Sequence, residues 1–488
     1  MALAVLLAGV TAALYYARLG LTLSHYDARG HLIVARRVID SLTPGWQQIG
    51  AVWLPLPHLL NLLPSQIDAL YRTGASAVAM SVLSAAVAAY AVARLLDWKG
   101  DAAVPAAAGA AIAALNPNIL YLQSTPMTEP LLLAVALLAV LFVREWIDGD
   151  GSEARAGTLL FLACWTRYEA WPITAALLGL AIVARLRLGE RAGVALRNTA
   201  RLALYPAAAV AVFFVLSRIT VGEWFVSGGF FVPENPALGR PVRAALQVLG
   251  GAVRVAGIPL VAAGCGGAIV LAIAGLAMRG RASMLVLLAP LAAAALPWYA
   301  FLQGHPYRVR YMVVQIAALA LVSCAALTLA GRRIAAAGAV ALLAVTLYVR
   351  PPLDSTAAMI REAQWDRRNA AGRTAVTEYL RSHWDGEPIM ASMGSLGHYM
   401  QELSHAGFGI RDFLHEGNGD LWKAALPRPA VHVRWVLIEE KAEGGDMLAA
   451  RARADAAFLQ GFTAVARGGG VVLYRRTGAS RRPSGPPR

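Results

Sequence analysis

The chain has 488 residues, of which 58% are hydrophobic and only 15% are charged. A soluble domain carries about 25% charged residues, so the charge here is too sparse for a water-facing surface of this size. Much of the chain must therefore face lipid. The net charge of +15 would suit nucleic acid, but the basic residues lie within and between apolar segments. That placement fits phosphate or lipid head groups better, and we expect no nucleic-acid partner.

A membrane-spanning helix needs about 20 mostly apolar residues. The sequence predicts an all-α polytopic membrane protein with about eleven transmembrane helices. These lie at residues 2–23, 75–96, 102–122, 130–143, 157–166, 171–184, 202–217, 257–278, 283–301, 311–330 and 334–349. If the N-terminus is inside, the two long loops, 24–74 and 218–256, and the C-terminus all fall on the outer side. Charge alone leaves this orientation open.

The composition changes after Arg350-Pro351-Pro352, where charge density becomes ordinary and apolar runs become short. Alternating strand and helix patterns predict a small α/β domain at 350–478, outside the membrane, after a transmembrane domain at 1–349. Residues 479–488, rich in Pro, Ser and Arg, are predicted to be a disordered tail. The strand candidates are Pro388–Ala391, Val433–Glu439, Thr463–Arg467 and Val471–Tyr474.

Asp27 follows the first apolar segment directly, at a depth where a carboxylate is costly unless it is paired or functional. His31 lies four residues on, so on a helix the two would share a face and could form an ion pair or bind a metal. Asp27 is either an interfacial cap or ion pair, or a catalytic base facing an outer cavity. Asp40 and Asp68 lie further along, in segments that indicate ordinary surface.

Arg167, Arg308 and Arg310 lie at predicted outer membrane edges beside aromatic residues. A guanidinium group stays charged and binds phosphate bidentately, so these residues suit a phosphate site. The alternative is that they anchor the ends of spans. Glu129 opens a span, as a functional acid or as a carboxylate beside the helix dipole. His58, among prolines and leucines, is either a packed polar residue or part of the site.

These segments, taken in order, resemble the GT-C superfamily of membrane glycosyltransferases, which includes protein O-mannosyltransferases and bacterial transferases that use polyprenyl-phosphate sugars. Asp27 stands where the superfamily has an Asp in its first outer loop. Ala28 replaces the Glu that often follows, and His31 replaces a Tyr. Pro55-Leu56-Pro57-His58 is a loose form of the Pro-rich segment.

The resemblance continues beyond the first loop. Ser124–Pro130, which contains Glu129, is similar to a short outer loop that carries an acid. Thr166-Arg167-Tyr168-Glu169 is similar to the "TRxE" turn, and His305–Tyr311 to the "RY" start of a late span. The superfamily also commonly ends in a small extracytoplasmic domain.

The resemblance implies a hexosyltransferase of the cell envelope, embedded in the inner or plasma membrane. It would move a sugar from a polyprenyl-phosphate donor to a lipid, glycan or protein acceptor on the extracytoplasmic side. A divalent cation, Mg²⁺ or Mn²⁺, is the one cofactor it allows. The implied catalytic residues are Asp27 and Glu129, the donor-phosphate ligands are Arg167, Arg308 and Arg310, and further substrate contacts are His31, His58, Tyr168, Glu169 and Tyr311.

The rival class is a transporter or flippase for a lipid-linked or anionic solute, which would also place arginines and acids in membrane-edge cavities. The sequence shows no inverted repeat, and its charges cluster on one predicted side and not at the midplane. Long outer loops and a terminal outer domain also favour an enzyme.

Overall fold

The computed structural model describes residues 2–226, 235–364, 367–440 and 445–477. The chain forms two compact units, Met1–Leu32 with Gly50–Gln364, and Ile33–Ile49 with Trp365–Arg488. The second unit thus includes a stretch of the first long loop, which the composition change at residue 350 does not indicate. The predicted disordered tail lies outside the described residues.

The first unit is helical. Eight of its described helices are long and apolar enough to cross a membrane: Ala75–Leu96, Glu129–Asp148, Ala170–Arg187, Ala192–Val221, Ile258–Ala277, Arg279–Leu302, Val309–Leu327 and Arg332–Val349. A ninth candidate is the pair Ala103–Leu115 and Pro117–Gln123, which is bent by 64°. The protein is therefore a multi-pass membrane protein, as predicted.

The two remaining predicted spans correspond to shorter helices. Ala2–Arg18 has 17 residues and Glu153–Cys164 has 12. A helix rises 1.5 Å per residue, so neither crosses the roughly 30 Å hydrocarbon core by its regular part alone. The predicted number of eleven spans therefore stays a prediction. The break between Glu153–Cys164 and Ala170–Arg187 does divide two helices, as the sequence indicates.

The bent span is held by two buried asparagines. The Asn116 side chain accepts a hydrogen bond from the Asn118 backbone N–H at 2.9 Å and caps the helix that Pro117 begins. Both amide groups donate to the carbonyl oxygen of Val255, at 2.9 and 3.1 Å. Backbone groups freed by a bend inside a membrane must find partners within the protein, and these amides serve that purpose. The chain then turns towards the loop that precedes Glu129.

Close packing of the membrane helices depends on small residues. A Cβ atom at Gly267 would lie 2.7 Å from the Val322 carbonyl oxygen and 3.0 Å from Ser323 Cα. Any larger side chain there would push helix Ile258–Ala277 away from Val309–Leu327. Such contacts let helix backbones approach closely where there is no hydrophobic effect to drive them together.

Shorter helices complete the first unit. Helix Pro241–Ala256 lies in the second long loop and buries one face through Ala244, Val248 and Val255. Residues 227–234 of that loop lie outside the described part of the chain. The remaining short elements are Tyr26–Arg37, in which the division between the two units falls, and Leu56–Asn61, Pro64–Gln66, Asp68–Thr73 and Ala358–Ala363.

The second unit contains a five-stranded sheet. Its strands are β1 (Ile389–Ala391), β2 (Phe413–Leu414), β3 (Trp435–Glu439), β4 (Phe462–Gly468) and β5 (Val471–Arg476), in the order β2-β1-β3-β5-β4. β1 pairs in parallel with β2 and β3, whereas β5 is antiparallel to β3 and β4. The prediction of a small α/β unit is confirmed. β2 has only two residues and gives no sequence signal.

Helices cover this sheet, and the turn between β4 and β5 uses two glycines. Gly469 and Gly470 have φ angles of 57° and 81°, the left-handed values that a tight two-residue hairpin turn requires. Met390, Val436 and Phe458 are buried together in the core. The described α-helices are Arg367–His383, Met393–Leu396, Met400–His405, Asp420–Ala425, Pro429–His432 and Met447–Ala454.

Asp40 corrects one expectation, because it is buried and not part of an ordinary surface. Its carboxylate accepts hydrogen bonds from Arg36 Nε at 2.8 Å and from the backbone N–H groups of Ile410 and Arg411 at 3.1 and 3.2 Å. Burial alone would raise the pKa of Asp40, but these donors lower it overall. Asp40 therefore ties residues 33–49 to the rest of the second unit.

Replacing Asp40 by Asn should destabilise the second unit. The Asn side chain would turn its NH₂ group towards some of the N–H donors that the Asp40 carboxylate now accepts from. Losing the hydrogen bonds of a buried charge costs about 2 kcal/mol. Because the folded pKa is lowered, the stabilisation is present at neutral pH and is lost as the pH falls below about 4. Thermal unfolding should show a lower midpoint than for Asp420→Asn, whose side chain is 98% exposed. Equal midpoints at pH 7 would contradict this role.

Candidate active site

Charged side chains from four segments of the first unit form a network of two ion-pair clusters, Asp27 with Arg310 and Arg167 with Glu129 and Glu169. The charge of His25, beside Asp27, acts on Glu129 in the second cluster. The paired side chains come from the start of helix Tyr26–Arg37, the start of helix Glu129–Asp148, the turn at residues 165–169 and the short 3₁₀ helix Val309–Met312. Helix Ala358–Ala363 adds a fifth element. These segments lie far apart in sequence, and the ends of the membrane helices bring them together.

Asp27 forms an ion pair with Arg310. The two side chains are 13% and 11% exposed, so the pair is largely screened from water but still accessible. Asp27 lies in the first turn of its helix, where the helix dipole favours a carboxylate. The pairing agrees with one of the two interpretations drawn from the sequence, an ion pair. It also joins the predicted base to a predicted phosphate ligand.

Arg167 lies between two buried carboxylates. Its Nη2 is 2.7 Å from Glu169 Oε1, and its Nη1 is 3.2 Å from Glu129 Oε1. Nη1 also donates to Thr128 Oγ1 at 2.8 Å. Burial alone would lower the pKa of Arg167, but the charges of Glu129 and Glu169 raise it overall. Arg167 is therefore a fixed cation whose two sides already face acids.

His25 and Glu362 form a second contact beside Asp27. The His25 Nε2 and Glu362 Oε1 atoms are 3.7 Å apart, and the other carboxylate oxygen of Glu362 accepts from the Val309 N–H at 2.6 Å. Burial opposes ionisation of Glu362, but His25 and Arg310 lower its pKa overall. Burial lowers the pKa of His25, against the effect of Glu362. At neutral pH the pair is a neutral imidazole facing a carboxylate.

His31 pairs with His58 and not with Asp27, although the spacing of His31 and Asp27 would allow an ion pair or a shared metal. Its Nδ1 is 3.1 Å from His58 Nε2, and His58 Nδ1 is 3.1 Å from the Leu54 carbonyl oxygen. Because that carbonyl can only accept, His58 Nδ1 carries a proton, and Nε2 of a neutral His58 ring is the nitrogen that can accept from His31. Burial holds the pKa of His31 well below its usual value, and His58 and Arg167 add to the effect.

Trp53 supports this histidine pair. The rings of His31 and Trp53 lie 4.2 Å apart between centroids, and Trp53 stacks on His58 at 5.9 Å. A Cβ atom at Gly30 would lie 2.7 Å from the Trp53 ring, so only glycine admits the indole here. Trp53, two residues before the Pro-rich segment, thus places an aromatic ring beside the histidine pair.

Tyr311 links Arg310 to His305. Its hydroxyl oxygen is 3.4 Å from both Arg310 Nη2 and His305 Nε2. Tyr168 instead donates to the Val52 carbonyl oxygen at 3.2 Å, and its ring packs among other aromatic residues. Arg308 is half-buried immediately before helix Val309–Met312.

The acids of this network do not fit a divalent cation. Within the described residues no group of three or more His, Cys, Asp or Glu side chains is arranged to hold a metal ion. Asp27 and Glu129 each face a guanidinium group, which competes with a cation for the same oxygens.

Two participants were not identified from sequence. Glu362 lies in the part of the chain that composition assigns to the outer domain, yet it belongs to the first unit. His25 is visible beside Asp27, but nothing in its spacing indicates a partner more than 300 residues away. Only the tertiary structure reveals this contact.

The comparisons with known proteins concern the fold. The sequence matches no protein-family model and no curated protein. Two similar solved structures are ArnT from Cupriavidus metallidurans bound to undecaprenyl phosphate and the same protein in the apo state. They share 15% and 16% identity with this chain at TM-scores of 0.56 and 0.54.

The likeness extends over nearly the whole molecule. It covers 96% of this chain and 97% of the undecaprenyl-phosphate-bound ArnT chain, and 96% of each chain for the apo structure. The chain therefore shares the fold of ArnT, and the fold that the sequence motifs led us to expect is confirmed.

Proposed function

We propose that this protein is a membrane glycosyltransferase that moves a sugar from a polyprenyl-phosphate donor to an acceptor hydroxyl group. The observation that carries the proposal is the Asp27–Arg310 pair, with Arg310 near the start of the candidate membrane helix Val309–Leu327, in a fold shared with an undecaprenyl-phosphate-bound protein. A carboxylate beside a guanidinium group supplies the two functions that such a reaction needs. One accepts a proton, and the other stabilises negative charge on phosphate.

Arg310 is the first candidate for the donor phosphate. Its side chain is 11% exposed, and the acid that it pairs with among the described residues is the partly accessible Asp27 carboxylate. Phosphate offers a guanidinium group more oxygens and more charge than a carboxylate does. Donor binding would therefore draw Arg310 away from Asp27 and leave the carboxylate free to serve as the base. Arg308 lies two residues away and adds positive charge on the same segment.

The reaction follows from these two roles. Asp27 accepts the proton of the acceptor hydroxyl as its oxygen attacks the anomeric carbon of the sugar. The bond between that carbon and the phosphate oxygen breaks with inversion, and the electron pair leaves with the polyprenyl phosphate. Arg310 stabilises the charge that develops on the leaving oxygen. The proposal routes no step through a divalent cation.

Arg167 and its two acids form a second, more deeply buried part of the site. Glu129 and Glu169 are 1% and 3% exposed at their side chains. Glu129 would position the acceptor or the sugar, and Arg167 would hold Glu129 in place and add positive charge near the phosphate. His31, His58 and Tyr311 would line the substrate space. The sugar and the acceptor, whether lipid, glycan or protein, are not assigned.

The fold likeness supports a transferase over the rival transporter. A carrier places its charged residues near the midplane, between two repeats. Here the network lies at the ends of helices and in the connections between them. That arrangement suits a substrate that approaches from the membrane surface.

Asp27→Asn should abolish most transfer and leave lipid-phosphate binding intact. Losing a general base typically lowers the rate by about 10²–10⁴-fold. The amide no longer competes for Arg310, so the purified variant should bind undecaprenyl phosphate at least as tightly as the wild type. Both quantities can be measured with detergent-solubilised protein, using a defined lipid-linked sugar for turnover and titration calorimetry for binding.

Asp68→Asn is the matched control, because Asp68 lies in the same loop with a side chain that is 53% exposed. It should transfer and bind like the wild type. Wild-type turnover by Asp27→Asn would show that Asp27 is not the base. Much weaker lipid-phosphate binding by Asp27→Asn would show that the carboxylate supports the binding site and does not compete with it.

The same proposal places the site and residues 350–478 on the extracytoplasmic side. Protease added to intact spheroplasts should then cleave the second unit, while a cytoplasmic marker protein stays whole. Cleavage that appears only after the membrane is broken would mean the opposite orientation.

A further inference from the structure

The interactions around Asp27 and Arg310 form a closed ring. Asp27 pairs with Arg310 through its side chain, and its backbone N–H donates to His25 Nδ1 at 3.1 Å. His25 Nε2 faces Glu362, whose other oxygen accepts from the Val309 N–H at 2.6 Å. Val309 is the neighbour of Arg310, which closes the ring.

The tautomer of His25 follows from this geometry. A backbone N–H can only donate, so His25 Nδ1 must be the unprotonated nitrogen. In the neutral ring the proton is then on Nε2, which faces Glu362 Oε1 at 3.7 Å. Neither of these two buried atoms has a hydrogen-bond partner in the described structure. The His25 Nε2–H group and the Glu362 Oε1 atom therefore complement each other as donor and acceptor.

We propose that Glu362 and His25 are positioning residues that set the base Asp27 against the phosphate ligand Arg310. Glu362 holds the start of the 3₁₀ helix that carries Arg310, and His25 holds the backbone of Asp27. Neither touches the reacting atoms in this proposal. The inference deepens the proposed function and rests on it. It adds a residue beyond the last membrane helix to the machinery of the first loop.

The charges around the pair are consistent with this role. His25 faces the carboxylate of Glu362, and the charges of Arg310 and Glu129 also act on it. His25 and Arg310 in turn both act to lower the pKa of Glu362. The carboxylate is thus shared between a backbone donor, an imidazole and a guanidinium group. A neutral side chain at 362 could keep the first interaction but not the other two.

The experiment separates positioning from folding. Glu362→Gln keeps an oxygen for the Val309 N–H but loses the charge, and His25→Asn keeps an acceptor near the Nδ1 position but loses the contact with Glu362. Both variants and the double variant are compared in kcat, in donor KM and in affinity for undecaprenyl phosphate. Glu378→Gln is the control, since Glu378 lies in the second unit with a side chain 54% exposed.

Each single variant should lower kcat about 10- to 100-fold, the loss expected from misplacing a catalytic group by about 1 Å. The double variant should be no worse than the more damaged single variant, because both changes break one linkage. Affinity for undecaprenyl phosphate should not fall, and Glu378→Gln should behave like the wild type.

Several results would overturn the inference. They are a kcat within about two-fold of wild type in both single variants, effects that multiply in the double variant, and a parallel loss of lipid-phosphate affinity and thermal stability. If Glu362→Gln does not fold, His25→Asn alone decides between these outcomes. A wild-type protein that transfers no sugar would overturn the proposed function and this inference together. An active wild type with unaffected variants would overturn this inference alone.

Discussion

A buried carboxylate at the edge of a membrane is tolerated only when a cation or a hydrogen-bond donor faces it, and the candidate site is organised around this constraint. Asp27 faces Arg310, Glu129 and Glu169 face Arg167, and Glu362 faces His25 and the Val309 N–H. The membrane helices supply the low dielectric that makes each pairing strong. Their ends and the short helices between them supply the residues.

The same constraint explains how a resting site could respond to its substrate. The cation that compensates Asp27 is also the group best suited to bind phosphate. A donor that carries its own negative charge can replace the carboxylate, so the base is released only when the donor is present. Arg167 differs, because it is held from two sides by acids that are almost completely buried. Arg167 therefore stays in place, whereas the Asp27–Arg310 pair can separate when the donor binds.

The sequence predicted the membrane helices, the small α/β unit and most of the charged residues of the network, because hydrophobicity, turn residues and charges near span ends are local signals. It did not predict the partners. The spacing of Asp27 and His31, four residues apart, would allow them to pair, but Asp27 pairs with Arg310. Asp40 was expected at the surface, yet backbone donors more than 360 residues away bury it. Such pairings depend on tertiary packing, which local patterns do not encode.

The most direct test is a structure of the protein with undecaprenyl phosphate bound in a lipid nanodisc. The account predicts the phosphate group within hydrogen-bond distance of Arg310, with the Asp27 carboxylate separated from that guanidinium group and turned towards open space. Glu362 should keep its bond to the Val309 N–H. A phosphate bound elsewhere, with the Asp27–Arg310 pair intact, would contradict the account.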